Sequence, residues 1–578
     1  MRCARVLGAG FALVTTVALT SCVRVPHTGA VVEAAEPGQA EPSQQPYNNP
    51  PPPRPDARPD DIVAGFLDAM TATPLSTNRA GDFLTKRARA QWRPRRVLSY
   101  TVPSLRRRGS DVIVRLRGLQ QVGAAGQWQG RQASGPTRIT FSMARENGQW
   151  RIAAAPDALI VPADFYDANY EDASLYYFDP TGRILVPEPV HVPQGPQLAS
   201  TLVRALLRAP RTGSSSVART FIPPGLNFGL SVPVNDYVAE VNLTGVDPGP
   251  LDRQTTRRML AQLSWTLRQD PAINAFTLNI AGRVVTDASG GSRFSVRGEE
   301  SDPFDPAVFT ASSQFYALRD GRLVSGQVTR PTRVAGPFGN EPFGIGPFAV
   351  DLDNTRVAGV TPDSLLVGPV LGDSQPTPML TGPDLLRPAW DFADRLWEVQ
   401  NGPAGALVEY LAGGIGRPHE VRVPGITGED VRRFLVSRDG SRIVALLHGS
   451  AGDRIAVSRL RYAVDGTATG ATRARRIPWK STGTTRIRDI GWTSPTTIAV
   501  LDQLSAAQAE MRILNVDGSV LPDEAAVKPI TGRVQGLATS PSQPPYAIQR
   551  ERLIDLSQDQ VVARQIAIEG LRHLTYAG

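Results

Sequence analysis

The stretch Phe434-Leu435-Val436-Ser437-Arg438-Asp439-Gly440-Ser441-Arg442-Ile443 decides how the C-terminal half of this 578-residue chain is read. Apolar residues run into a turn of Ser, Asp and Gly and then resume, as two short strands joined by a tight turn would. Related phrases begin at Phe315, Ala358, Trp390, Trp492 and Leu537, at irregular intervals of mostly about 30 to 57 residues. No long amphipathic helix interrupts residues 313–578. Period and content predict the four-stranded blades of a β-propeller, about five to seven of them. An array of β-sandwiches is the alternative that the same turn spacing allows.

Working outward, residues 163–312 alternate strands and helices. Leu175-Tyr176-Tyr177-Phe178 and Ile184-Leu185-Val186 read as strands across an Asp179-Pro180-Thr181-Gly182 turn. Leu198, Leu202, Ala205 and Leu206 have helical spacing, and so do Met259, Leu260, Leu263 and Leu267. Between those helices, Tyr237, Ala239, Val241 and Leu243 share one face of a strand, and Phe276, Leu278 and Ile280 begin another. Residues 60–162 open with a helix that Asp60 and Asp61 can cap. A second helix carries Ala80, Phe83, Leu84, Ala88 and Trp92, and the period then changes to two. Val112, Val114 and Leu116 alternate with polar residues, as do Ile139, Phe141 and Met143, and Glu146-Asn147-Gly148 reads as a hairpin turn. Helices followed by a twisted antiparallel sheet make a small α+β domain. In order of elements it resembles the NTF2-like fold, here as a scaffold, since no Asp/His pair lines the strands.

Residues 22–59 read as a tether. Nine prolines fall between Glu36 and Asp60, and such a segment tends to an extended conformation rising about 3 Å per residue. Residues 1–21 have basic Arg2 and Arg5 and then an uncharged, mostly apolar run from Val6 to Thr20, a length suited to a signal peptide and short for a membrane span. That run ends in Leu19-Thr20-Ser21-Cys22, which resembles the lipobox of bacterial lipoproteins; an ordinary secretory signal with a Cys near its cleavage site is the alternative. By the resemblance, Cys22 is the lipid-attachment residue, carrying an S-diacylglycerol and an N-acyl chain such as palmitate. It would hold the mature chain on the extracytoplasmic face of the cell membrane. Cys3, the other cysteine, leaves with the signal, so no disulfide or Cys-based metal site can form.

Leu202-Val203-Arg204-Ala205-Leu206-Leu207-Arg208-Ala209-Pro210, the turn Ile222-Pro223-Pro224-Gly225 and the strand Ala239-Glu240-Val241-Asn242-Leu243-Thr244 resemble a GerM-like domain. That family usually has Asp where Asn242 stands. Lipobox, proline tether, α+β domain, GerM-like domain and propeller, in that order, resemble the LpqB family of actinobacterial lipoproteins over essentially the whole chain. The resemblance implies a partner, the extracytoplasmic domain of an MtrB-type two-component sensor histidine kinase. It also implies an influence on cell-wall homeostasis and division.

The chemistry-bearing residues point to binding rather than catalysis. His27, His191, His419, His448 and His573 are scattered without ligand spacing and read as ordinary loop or blade residues. No Gly-x-Ser-x-Gly elbow is present, and Gly336-Pro337-Phe338-Gly339-Asn340 and Gly413-Gly414-Ile415-Gly416 read as blade turns. Asp351-x-Asp353-Asn354 lacks the Gly and distal Glu of a calcium loop. Neither catalytic residues nor a metal or cofactor is expected. The formal charge of +8 falls to +6 once Arg2 and Arg5 leave, but the arginines form no basic stripe interleaved with aromatics, so nucleic acid is not the expected partner. The mild excess reads first as a solvated arginine-rich surface, and as a weak, salt-dependent preference for anionic lipid or an acidic cell-wall polymer second. A wall-glycan binder or glycan hydrolase acting through the propeller is the second functional reading. It would need exposed Trp and acids at the propeller centre; Trp390, Trp397 and Trp492 are the residues to inspect, although they read first as blade-core residues.

Overall fold

The computed structural model describes residues 48–578 except 133–134, 209–215, 230, 288, 299–300, 309–312, 480–485, 522–526 and 558–564. Cys22, His27 and the lipobox lie outside the described residues.

Among the described residues the C-terminal unit contains six antiparallel sheets, which makes it a six-bladed propeller. Blades 2 to 6 take consecutive strands from residues 348–381, 389–420, 430–477, 487–531 and 536–567. Blade 1 is composite. Its outer three strands are Phe315–Arg319, Arg322–Gln327 and Arg330–Arg333, and its innermost strand is Leu571–Tyr576 from the other end of the chain. That pairing closes the ring and leaves no open sheet edge between first and last blade. Pro337–Asn340 is the one helix of this unit among the described residues.

Each of the six phrases lies in a different blade, though not at the same place in it. From Trp390 onward they span the turn from innermost to second strand. The first two span the next turn, between second and third strands. Blade-to-blade packing joins apolar members of the phrases to neighbouring strand residues: Trp397, Phe434 and Val436 share one core with Tyr410, and Trp492 shares another with Ile490, Val444 and Leu446.

In the middle unit Val238–Gly245 and Ala275–Ile280 run parallel, joined by the helix Arg253–Leu267, and short antiparallel strands flank them. Tyr237, read as part of the first strand, precedes it with φ +60° and is exposed; only Ala239, Val241 and Leu243 face the core. The hairpin Tyr170–Phe178 with Leu185–Pro193 packs on the helices. Gln262 of the long helix and Gln269, in the turn just after it, bind the hairpin backbone at Tyr176 and Ser174. Asp252 caps that helix through Thr255 N at 2.9 Å. Asp252→Ala is expected to lower the urea midpoint of the full chain by removing the cap; an unchanged midpoint would refute the cap's contribution.

The N-terminal unit is α+β, with three departures from the sequence reading. Its sheet is bent into two four-stranded halves. Ser99 faces Gln120 and Val102 faces Arg117 in one continuous register, broken where Gly118, at φ +62°, turns against Thr101. The second helix is split into Asn78–Gly81 and Lys86–Gln91, because Phe83 and Thr85 pair with Ile152 and Thr85 starts a new helix by accepting from Ala88 N. The first helix begins at Pro59, so Asp60 and Asp61 fall in its first turn, where they favour the helix dipole without capping it. Residues read as tether also reach the domain. Asn48 pairs with Thr73, and Asp56 exchanges hydrogen bonds with Gln149.

Candidate functional site

The hairpin of the middle unit sits against one face of the propeller, the face formed by the turns between innermost and second strands and between third and outer strands. Those turns share a construction. Asp351 and Asp391 each accept from backbone N–H groups of their own turn and from the Nε of an arginine that follows, Arg356 and Arg395, both at 2.8 Å. Ser437 takes the same place in blade 4 by accepting from Arg442 N, and this frees the Arg442 side chain to reach outward. Its guanidinium donates to Pro187 O, and Glu188 pairs with Arg459. Nearby, Asn515 Nδ2 donates to Asp172 Oδ2 at 2.9 Å, and Tyr462 N donates to Ser216 O at 2.8 Å.

His191 lies where all three units meet. Strand alternation turns its side chain from the hairpin toward blade 5, where it is 7% exposed. Nδ1 is 2.8 Å from Asp172 Oδ1 and Nε2 is 3.3 Å from Asp517 Oδ2. The N-terminal unit adds Trp128 and Tyr166, with ring centroids 5.7 and 6.4 Å from the imidazole, and Gly126 O accepts from His191 N at 2.8 Å. Gly126 permits that approach: its φ is +84°, and a Cβ there would stand 2.9 Å from His191 O. Burial alone would push the imidazole down, but the hydrogen bonds and charges of Asp172 and Asp517 prevail and push it up to about 9. Asp517 is only 10% exposed on its side chain, which would push it up, yet its bonds to His191 and Ser519 hold it below the usual carboxylate range. Sequence alone took His191 for an ordinary residue. The signal was missed because its partners lie 19 positions before and 326 after it.

Arg438 plays a similar part at the centre of this face. Its guanidinium donates to Ala577 O, Ala307 O and the hydroxyls of Ser540 and Ser542, joining blades 4 and 6, the closing strand and the segment before blade 1. Burial pushes it down to about 10.

The opposite propeller face is uncovered among the described residues. It carries two open cavities, one of about 790 Å³ lined by His448, Arg488, Gln503 and Arg533, and one of about 690 Å³ lined by Arg533, Arg550 and Arg552. Near its axis the innermost strands slip: between Val431 and Arg433 in blade 4, and between Ile487 and Asp489 in blade 5. In blade 1, Arg572 faces Leu318 but Thr575 faces Tyr316. Each slip leaves one residue over and re-aims a side chain.

The tryptophans singled out in the sequence do not reach the axis. Trp390 and Trp397 are fully buried and Trp492 is 7% exposed. Trp397 Nε1 donates to Asp391 and Trp492 Nε1 to Val436 O, so these rings are blade-core residues. Asp351 is occupied by its own turn and by Arg356. No group of His, Cys, Asp and Glu able to hold a metal ion occurs among the described residues, and no helix among them is long and apolar enough to cross a membrane.

A bent α+β unit, a GerM-like unit and a closed six-bladed propeller, interlocked through His191 and Arg442, define a multidomain protein built on a propeller. Residues 52–167 match the family described as "Lipoprotein LpqB, N-terminal domain", 321–561 the "Lipoprotein LpqB beta-propeller domain" and 174–286 the family "Sporulation and spore germination". The chain belongs to the LpqB lipoprotein family. It is 27% identical to lipoprotein LpqB of Thermobifida fusca, covering 88% of this chain and 89% of that one. To LpqB of Streptomyces coelicolor it is 26% identical, covering 94% of each. Among solved structures, TolB of Acinetobacter baumannii is similar at 13% identity and a TM-score of 0.34, covering 61% of this chain and 99% of TolB.

Proposed function

We propose that this chain is a non-catalytic extracytoplasmic lipoprotein, anchored through acylated Cys22, that binds the extracytoplasmic domain of an MtrB-type sensor kinase and so influences cell-wall homeostasis and division. The observation that carries the reading is the division of labour between the propeller faces. One is spent on holding the middle and N-terminal units, and the other stays open beside grooves lined with Arg488, Arg533 and Arg550. Family membership supports the kinase as partner. Binding alters signalling only if one kinase state is bound better than the other, by a few-fold to about 100-fold in typical coupling. The wall-glycan reading has lost the aromatic platform it needed, since the three tryptophans are in blade cores.

Deleting residues 313–578 would not test this cleanly, because it strips His191 of Asp517 and Glu188 of Arg442 and Arg459 and bares a second surface. Charge reversal on the open face leaves the interlock intact. The full chain in lipid nanodiscs is expected to bind the purified kinase domain saturably, and Arg533→Glu with Arg550→Glu to weaken binding by about 10-fold or more. Absence of saturable binding at every salt concentration would sink direct contact. Undiminished binding by the double variant would move the contact off this face.

A further inference from the structure

At the axis of the open face, basic side chains converge from three blades. Arg387 precedes the innermost strand of blade 3, where Ala389 faces Trp397 but Leu385 bridges Gln400, so four steps along one strand match three on its neighbour. Arg433 is turned out of blade 4 by the slip beside Val431. His573, exposed on the closing strand, has φ +51°, a left-handed conformation unusual for a residue with a side chain. Its ring stands opposite Gly346 of blade 2, where a Cβ would be 3.7 Å from Nε2. Extra strand residues and strained backbone gathered at one end of a channel are features that recur at ligand sites.

The charges there do not cancel. Asp489 is the carboxylate beside Arg433, 3.5 Å from its Nε, and its oxygens already accept from Leu537 N at 2.8 Å and Ile490 N at 3.0 Å. The guanidinium groups of Arg387 and Arg572 make no side-chain hydrogen bond among the described residues. His573 keeps contact with solvent, but crowding of its ring by the surrounding blades and, after it, the charges of Arg387, Arg572 and Arg433 hold the imidazole below its ordinary value. A single carboxylate would be satisfied by one forked guanidinium, whereas a phosphoryl group offers three or more acceptor oxygens and nearly two charges.

We propose that the axial channel mouth of the open propeller face binds a phosphoryl group, held by Arg387 and Arg433 with His573 and Arg572 beside them. The site stands independently of any kinase partner, and its test needs none.

The test titrates the full chain in detergent micelles, at low and constant chloride, with inorganic phosphate and separately with glycerol phosphate. Heat is followed by calorimetry and the His573 ring by NMR. One saturable site per chain is expected, with the His573 titration moving upward on binding as the anion offsets the neighbouring guanidinium charges. Arg387→Gln or Arg433→Gln should weaken binding by about 10-fold each at unchanged melting temperature. Arg433 is exposed, so its variant serves as the measure if the Arg387 variant does not fold. Tighter binding of glycerol phosphate would identify a lipid or polymer phosphoryl as the source, and equal binding a free phosphate. Absence of saturable binding to either probe, or binding that both substitutions leave intact, would overturn the site.

Discussion

Asp391→Ala is expected to destabilise the propeller by about 3–5 kcal/mol, the range for breaking a buried ion pair from one side. Asp391 is fully buried and Arg395 is 6% exposed on its side chain. One carboxylate oxygen accepts from Arg395 Nε at 2.8 Å and from Trp397 Nε1 at 2.9 Å, and the other from Ala393 N and Arg395 N. Truncation therefore leaves an uncompensated guanidinium and an orphaned indole N–H in the core shared by blades 3 and 4. Gly466 O and the ring of Tyr462, 4.3 Å away, would be what Arg395 retains. Asp351→Ala, in the equivalent turn of blade 2, is the internal comparison. Arg356 is 26% exposed and keeps Asp394 at 2.7 Å, so less than half the loss is expected. Urea unfolding of the two variants beside the parent chain decides the matter. Equal losses would show that burial of the Asp391 pair contributes nothing beyond the turn hydrogen bonds.

The same turns explain what the sequence could disclose. Repetition of apolar–turn–apolar phrases reveals a propeller because each blade must bury both faces of a twisted sheet, and only apolar runs broken by tight turns do that. Blade number was not legible, for two physical reasons. Blade 1 borrows its innermost strand from Leu571–Tyr576, so its own phrase is one turn out of step. Blade 2 is out of step as well, because its innermost turn, Val350 to Arg356, carries a DLDNTR run instead of the Ser-Asp-Gly phrase. Capping by Asp351 does in that turn what Ser437 does in blade 4.

Within the middle unit, helical and alternating periods gave the elements, since each has one buried face. The bend of the N-terminal sheet was hidden because Thr101 and Gly118 lie far apart in sequence and signal a corner only once paired. The axial arginines were hidden for a related reason. Arg387, Arg433 and Arg572 are scattered in sequence, and only closure of the ring brings their charges together.

The joint at His191 is expected to loosen as the solution becomes alkaline. The folded value is raised, from 6.5 to about 9, so its contribution is complete below about pH 6.5 and lost progressively until about pH 9. At about 1.4 kcal/mol per unit the shift corresponds to roughly 3 kcal/mol, an upper figure because Asp172 is 47% exposed on its side chain. Asp517 works in the opposite sense. Its folded value lies below 3.8, so its contribution is present above that pH and lost as the solution is acidified through its folded value. The junction is therefore tightest between about pH 4 and pH 6.5. The groups facing the imidazole are Asp172 from its own hairpin, Asp517 from blade 5, and Trp128 and Tyr166 from the N-terminal side. Burial pushes the Tyr166 hydroxyl far above the usual phenol range, so it does not titrate in this window. Hydrogen exchange at residues 170–193 and 508–519, corrected for intrinsic rate, should rise between about pH 6 and about pH 9.5 while exchange in the blade 3 core stays level. His191→Gln should remove the pH dependence and give the loosened junction at both pH values. If protection across the junction is unchanged over this range in the parent chain, the imidazolium is not what holds the hairpin to blade 5. The joint would then rest on Arg442 with Pro187 and on Asn515 with Asp172.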